Sequence, residues 1–573
     1  MVYATYMAIK RRKRGSRVYL EEWRSHREGK KVISKFVRYL GPEGGLRPKG
    51  VGSIVDRIQH GNSRRAGAVR LLWSLAEDLR FRETIDRIGG RSSAPDAPSP
   101  GTYLTDWAIN RVLDPESATQ LGPWVGTTDL PVLAGFPDEA FTKDNFLNAL
   151  DIVCHDEPAI AQVIDHSRDL DIALSARWRE LHPLPRGEKE VVAYDLTNVM
   201  FFGVTCPIAE VGHNPDHQPR PQVNVGVVVS RHDRTPLFHF AYRGNRNGGG
   251  TVRNLLVQLQ SAKVPPGLLI VDRGILGKRF VAEARGMGWH LLGGLSKASK
   301  EVRTILDATE VPETPVSFVK RSKTGGIHAV KVRARLWEDE REVVIYTNAD
   351  KAVADRVERN EALSRIGEAL TTLATKGAGW SEAKLHASIQ EVVGDWKEFL
   401  HVRVKRGGAT PRVEWEYRDR EVKRAARQDG KYALLCTDER LSAREVVRSY
   451  LGKDFVEKCF RTAKTFVELE PVRHRRERRV RAYLFVCMLA LRLQTALRWR
   501  LMDGGIEEDA VPEYQERLLE DLGRVERTEV RLGGQARTWY LNVTSRVKDG
   551  LKRLKLPGLL KEVPLGPASG PPL

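Results

Sequence analysis

VVAYDLT (191–197) and GLLIVDRG (267–274) each run from apolar residues into an acid, Asp195 in the first and Asp272 in the second. Short apolar runs rich in Val, Leu and Ile read as buried strands. A carboxylate at a strand end is held more rigidly than one on a loop. Working outward, QVNVGVVVS (222–230), LFHFAY (237–242) and HLLGGL (290–295) read as further strands, with helices near 251–260 and over 276–287. The order is three strands, a helix, a strand, a helix and a strand, with Asp195 on the first strand and Asp272 on the fourth. It predicts an α/β fold in which the two acids meet at one edge of a sheet.

This is the order of an RNase H-like core, though fold alone does not prove function. A third acid, Glu457, lies on a basic helix predicted to run on from about 441. At about 100° per residue, Tyr450, Lys453, Glu457, Arg461 and Lys464 share one side of that helix. Leu451, Phe455, Cys459 and Phe466 take the other. Taken alone, this is an ordinary amphipathic helix with a solvated charged face. With two strand-end aspartates upstream, it becomes the carrier of a third metal ligand. Cleaving or transferring a phosphodiester takes two divalent ions, one activating the attacking oxygen and one stabilising the leaving oxygen. Such hard ions want oxygen ligands.

Tyr450, Lys453, Glu457 and Lys464 keep the spacing of the Tyr-x2-Arg-x3-Glu-x6-Lys signature, with Lys in place of Arg at 453. On these residues, and on Asp195-Leu-Thr and Asp272-Arg-Gly, the chain resembles bacterial DDE transposases of the insertion-sequence-four superfamily. The resemblance covers about 186–500, and the 185 residues from Asp272 to Glu457 fit that family's large, mainly β insertion. It implies an RNase H-like core in which Asp195, Asp272 and Glu457 are catalytic and bind two Mg²⁺ ions, with Mn²⁺ as a substitute. It also implies that Tyr450, Lys453, Arg461 and Lys464 contact DNA beside the scissile bond. Lysine at 453 keeps the charge but loses the bidentate fork of arginine. Arg273 is a further candidate DNA contact, as are Arg473 and Arg476 in the arginine-rich RHRRERRVR (473–481). The implied partners are double-stranded DNA, as element ends and target, and a second copy of the chain in the synaptic complex.

Composition agrees with a polyanionic partner. The 573 residues carry 94 Lys and Arg against 74 Asp and Glu, a net charge of +20, which favours binding to nucleic acid without specifying a fold. Residues 1–40 hold twelve Lys/Arg and three Glu, and RVYLEEWRS (17–25) and KVISKFVRYL (31–40) read as a hairpin preceded by the basic run 10–14. This predicts a grip on the DNA backbone. No run appears long enough for a membrane span, and AYLFVCMLALRL (482–493) reads as a core helix. The N-terminus lacks the pattern of a signal peptide. Five scattered cysteines without a CxxC pair suit reduced thiols. The expected location is the bacterial cytoplasm, in association with the nucleoid.

The predicted organisation has six parts. A basic DNA-binding region occupies 1–90, with helical periodicity over 65–90. A linker (RSSAPDAPSPGT, 91–102) and mainly helical region occupy 91–185, with Trp107, Leu113, Phe146, Leu147 and Leu150 as core. The core's first part follows over 186–297, the mainly β insertion over 298–428 and the core's second part over 429–505. A C-terminal region with a disordered tail occupies 506–573.

Competing readings are weaker. Cys206, His213 and His217 lack a fourth zinc ligand, and Pro215 breaks their helical spacing. Cys154-His155 has no third partner, and the glycines of GNRNGGG (244–250) are not followed by the Lys of a phosphate loop. Trp337, Trp380, Trp396 and Trp415 offer stacking surfaces for an extruded base, but ordinary core packing is the simpler role for each. Two other functions remain open at this point: a catalytically silent DNA-binding protein, and a purely hydrolytic nuclease.

Overall fold

Runs of β-branched residues set the centre of the fold. In the computed structural model the described residues are 6–14, 17–28, 31–42, 58–60, 63–90, 96–157, 162–203, 205–212, 219–246, 250–377, 379–407, 410–465, 469, 472, 474–532, 535–561 and 564–567. Two units are distinguished: residues 1–63, 528–539 and 562–573 form one, and 64–527 with 540–561 form the other.

The larger unit is built on a ten-stranded mixed sheet. Its first half comprises β1 (Val191–Met200), β2 (Pro221–Ser230), β3 (Pro236–Arg243), α1 (Val252–Ser261), β4 (Leu268–Val271), α2 (Lys278–Gly286) and β5 (His290–Gly294). Its second half adds β6 (Phe318–Arg321), β7 (Gly326–Leu336), β8 (Asp339–Asn348) and β9 (Lys431–Cys436). The spatial order is β3-β2-β1-β4-β5-β9-β8-β7-β6, and the tenth strand, Glu210–Val211, pairs with β2 off this path. β1, β2 and β3 are antiparallel, whereas β4 runs parallel to β1 and β5 parallel to β4. The connections containing α1 and α2 supply the crossovers that parallel neighbours require. β2 and β4 are buried on both faces, which explains why they read as continuous apolar runs.

One side of the sheet is covered by α3 (Ala443–Leu451), α4 (Asp454–Thr465) and α5 (Glu477–Asp503), the other by α1 and α2. A capping box between Ser442 and Glu445 starts α3. The helical region packs on α5 through Trp107, Phe146 and Leu150, all essentially buried, with Leu113 and Leu147 partly buried beside them. Inside this layer Asp171 accepts from Arg492 of α5 and contacts His239 of β3 at 2.6 Å, joining three elements through a buried polar network.

Several expectations are corrected here. The helix Pro100–Leu113 starts inside the predicted linker, because Ser99 caps it and Pro100 suits the first helical turn; residues 91–95 lie outside the described residues. The segment 298–428 holds more helix than strand: its longest element is the 28-residue helix Ala349–Lys376. Its first three strands, β6 to β8, extend the central sheet by pairing with β9. The alternation in HAVKVRARLW signals β7 correctly but cannot say which sheet receives it.

α5 is long and apolar enough to cross a membrane, contrary to expectation, and 83% of its most apolar window is buried within the chain. All five cysteines are free thiols, and Cys459 alone among them is partly exposed.

In the smaller unit the predicted hairpin is a three-stranded antiparallel sheet, Tyr6–Arg14, Arg17–Glu28 and Lys31–Pro42, so the basic run is itself a strand. Lys10 lies over Trp23, and Trp23 meets Phe36 edge-on. In the tail predicted to be disordered, Pro564–Pro567 pairs with the strand Gln535–Leu541, while 568–573 lie outside the described residues.

Candidate active site

Strand register brings the first two acids together. Val271 of β4 lies opposite Tyr194 of β1, so Asp272 leaves β4 where Asp195 stands on the neighbouring strand. Side chains alternate along strands. Ala193, Val199 and Ile270 face the core beneath α4 and α5, whereas Tyr194 and Val271 face α1 and α2. Asp195 and Asp272 therefore both belong to the α4 side. Asp195 is not at the end of its strand, as expected, but within it: β1 continues past the end of β4, paired with β2 as far as Met200.

Glu457 comes from α4, which packs across β1 and β2. The predicted continuous helix is broken at Gly452 and Lys453 into α3 and α4. Among the described side chains of α4, Val456 and Phe460 are buried, whereas Glu457 and Arg461 are exposed. Leu451 and Cys459, assigned to the core face, are only partly buried, and the side chains of Phe455 and Phe466 lie outside the described residues. Tyr450, on α3, is buried, and its hydroxyl closes over Gly294, where a Cβ would come within 2.7 Å of it.

The turn residue Lys453 dominates the electrostatics. Its Nζ donates to Asp272 Oδ1 at 2.7 Å and lies 5.2 Å from the centre of the Tyr450 ring. Burial pushes Asp272 up, but the hydrogen bond and charge of Lys453, with Arg273 adding, hold it below the ordinary carboxylate range. Asp195 goes the other way. Burial pushes it up to about 6; the Leu196 amide, donating at 2.8 Å, and Lys453 oppose this, while the charges of Asp272 and Glu457 reinforce it. The three acids thus lie in one another's field.

Three carboxylates supply the oxygen donors that Mg²⁺ or Mn²⁺ prefers, and the cation already held on Asp272 shows that the site takes positive charge. Among the described residues, however, no three acidic, His or Cys side chains are gathered closely enough to hold a metal ion. The donor type suits a divalent cation, while the three acids are not gathered and one aspartate oxygen is engaged by Lys453.

The other predicted contacts scatter. Arg273 is exposed, its guanidinium 5.7 Å from the Tyr432 ring centre. Lys464 is on α4, but its side chain lies outside the described residues, as does Arg473. Arg475 and Arg476 are exposed ahead of α5. The remaining arginines of 473–481 face inward: Arg478 pairs with Asp151 and Asp156, Arg479 with Asp151, and Arg481 with Glu477 and Asp165. These fasten α5 to the helical region. All four tryptophans of 298–428 pack on apolar clusters. Cys154 donates to Asp165 at 3.1 Å, and His213 and His217 lie outside the described residues.

Two residues without a sequence signal join the site. Lys297 Nζ sits 4.8 Å from the Tyr432 ring centre and donates to the Gln428 carbonyl at 3.1 Å. They meet because β5 pairs with β9, a contact that no local pattern announces.

No family model matches the chain, and no curated protein matches it. Among solved structures, it aligns with a piggyBac transposase in a synaptic complex with hairpin DNA. The TM-score is 0.38 and the identity 10%, over 81% of this chain and 82% of that one.

Proposed function

We propose that this protein is a DDE transposase of the insertion-sequence-four type, which binds the ends of a mobile element and catalyses metal-dependent DNA strand cleavage and transfer. The observation that carries the proposal is the parallel register of β1 and β4, with Asp272 beside Asp195 on the sheet face crossed by the helix of Glu457. The order β3-β2-β1-β4-β5, with β2 alone running against the other four, supports an RNase H-like core.

Asp195, Asp272 and Glu457 would hold two Mg²⁺ ions, which when bound activate the attacking oxygen and steady the leaving oxygen. Within the chain, Lys453 neutralises Asp272 until DNA arrives, then turns to a phosphate beside the scissile bond. The exposed Arg273, Arg461 and Arg476 add backbone contacts that position the strand without reading its sequence. Double-stranded DNA is the partner, a homodimer assembles on paired ends, and the setting is the bacterial cytoplasm, with the protein on the nucleoid.

A second reading, a catalytically silent DNA-binding descendant, is favoured by Lys453 occupying Asp272 while the three acids stay apart. Cleavage of labelled DNA from the borders of the gene, in Mg²⁺ or EDTA, decides between them. The transposase makes metal-dependent nicks at a defined repeat boundary, and Glu457→Gln loses them while still binding. Binding without nicks in any metal establishes the silent protein.

A further inference from the structure

We propose that Lys297 and Arg273, gathered over the ring of Tyr432, form a subsite for a phosphate of the DNA backbone, next to the acidic residues. The inference rests on the transposase reading and adds to it two residues, Lys297 and Tyr432, and a place for the strand.

The two cations approach one aromatic ring, at 4.8 Å for Lys297 Nζ and 5.7 Å for Arg273 Cζ. A ring attracts cations through its quadrupole but carries no formal charge, so it positions them without neutralising them. Tyr346 stacks behind Tyr432 with ring centres 5.2 Å apart and so fixes the platform. Lys297 is partly buried, and burial lowers its pKa, with the nearby Arg273 adding to the effect. Its Nζ touches the Gln428 carbonyl and the ring.

Two acids act on Lys297 without touching it. Asp429 is gripped by both guanidinium nitrogens of Arg359, and Asp355 accepts from the Gly430 amide at 2.9 Å. They act on Lys297 only through space. Lys453, by contrast, is directly paired with Asp272. Two like charges held together, with no carboxylate in contact among the described residues, raise the local energy, and an anion relieves it.

Position identifies the anion. Arg273 follows Asp272 in the chain, and Tyr432 and Tyr346 pack against the cluster on the α3 and α4 side of the sheet, the side of both aspartates. A strand with its scissile phosphate at Asp195 and Asp272 would lay a neighbouring phosphate here.

The test is binding of a labelled DNA duplex to the full chain, followed by fluorescence anisotropy across a salt series. Each phosphate contact contributes about 0.9 to the slope of log affinity against log salt. Lys297→Met is expected to lower affinity and reduce the slope by about that amount. Lys297→Arg restores the slope, and Tyr432→Leu, which removes the platform, reproduces part of the loss. A Lys297→Met protein with a lower melting temperature but an unchanged slope overturns the subsite and leaves Lys297 a packing residue. If Lys297→Met does not fold, Tyr432→Leu and Arg273→Gln carry the same slope measurement. Wild-type nicking tests the transposase reading separately. Nicking with slopes indifferent to these variants sinks the subsite alone, whereas altered slopes without nicking in any metal sink the reading of activity alone.

Discussion

Asp195 and Asp272 are neighbours with opposite titration behaviour, and this has consequences for stability. The folded protein holds a proton on Asp195 up to a pH of about 6, whereas an unfolded aspartate loses it near 3.9. The folded state therefore binds more protons between these values, and stability falls as pH rises through that window. In EDTA, Asp195→Asn is expected to raise the melting temperature at neutral pH, by at most about 3 kcal/mol of stability. The gain should vanish below about pH 4. Thermal melts across pH check this, and a gain independent of pH would refute it.

Lys453 makes a complementary case. Without its ammonium, Asp272 faces Asp195 with no contacting cation. In EDTA, Lys453→Met should cost about 1 kcal/mol of stability, because the Asp272 side chain is half exposed and solvent screens the pair. Millimolar Mn²⁺ should recover more stability in that variant than in wild type, as a melting series would show.

At the level of elements, the break between α3 and α4 decides which residues share the site. Around the turn at Gly452 and Lys453, Val456 and Phe460 are buried, and Leu451 and Cys459 pack partly buried against the same core. The same turn lets Lys453 reach back to Asp272. The arginine-rich start of α5 teaches a similar lesson. Its charge density resembles a DNA contact, but Arg478 and Arg479 meet Asp151 across a helix interface. Arg479→Ala should therefore lower the melting temperature and leave the salt slope of DNA binding unchanged, in contrast to Lys297→Met.

Deeper in the same interface, Asp171 serves Arg492, the His239 ring and the His239 amide at once. Breaking a buried pair by removing one partner is costly, so Asp171→Ala should destabilise the chain by about 3–5 kcal/mol. Arg492→Met in the same background should return part of that loss, because it removes the charge left unpaired; chemical denaturation of the single and double variants measures the coupling.

Across the whole molecule, the net charge of +20 predicts DNA affinity that falls steeply with salt, by about 10³-fold or more between roughly 50 and 200 mM if six or more phosphates are neutralised. Affinity flat across that range would exclude a backbone grip. Some of the basic residues are internally paired: in the smaller unit Arg12 pairs with the buried Glu21, while Lys10 rests on Trp23 and keeps its charge.

The sequence by itself determined the strands of the first half of the sheet, their order with α1 and α2, and the two aspartates, one on β1 and one directly after β4. Hydrophobic runs and their spacing are local properties, and burial of a central strand on both faces writes itself directly into composition. The tertiary structure alone decided how far β1 extends beyond Asp195, where the helix of Glu457 breaks, and that β6 to β8 join the main sheet. It also decided which arginines are spent on Asp151 and which pair of cations meets over Tyr432. Each of these depends on partners tens to hundreds of residues away. Strand pairing and ion pairing are satisfied by whichever group the fold brings within reach, and local sequence carries no record of that partner.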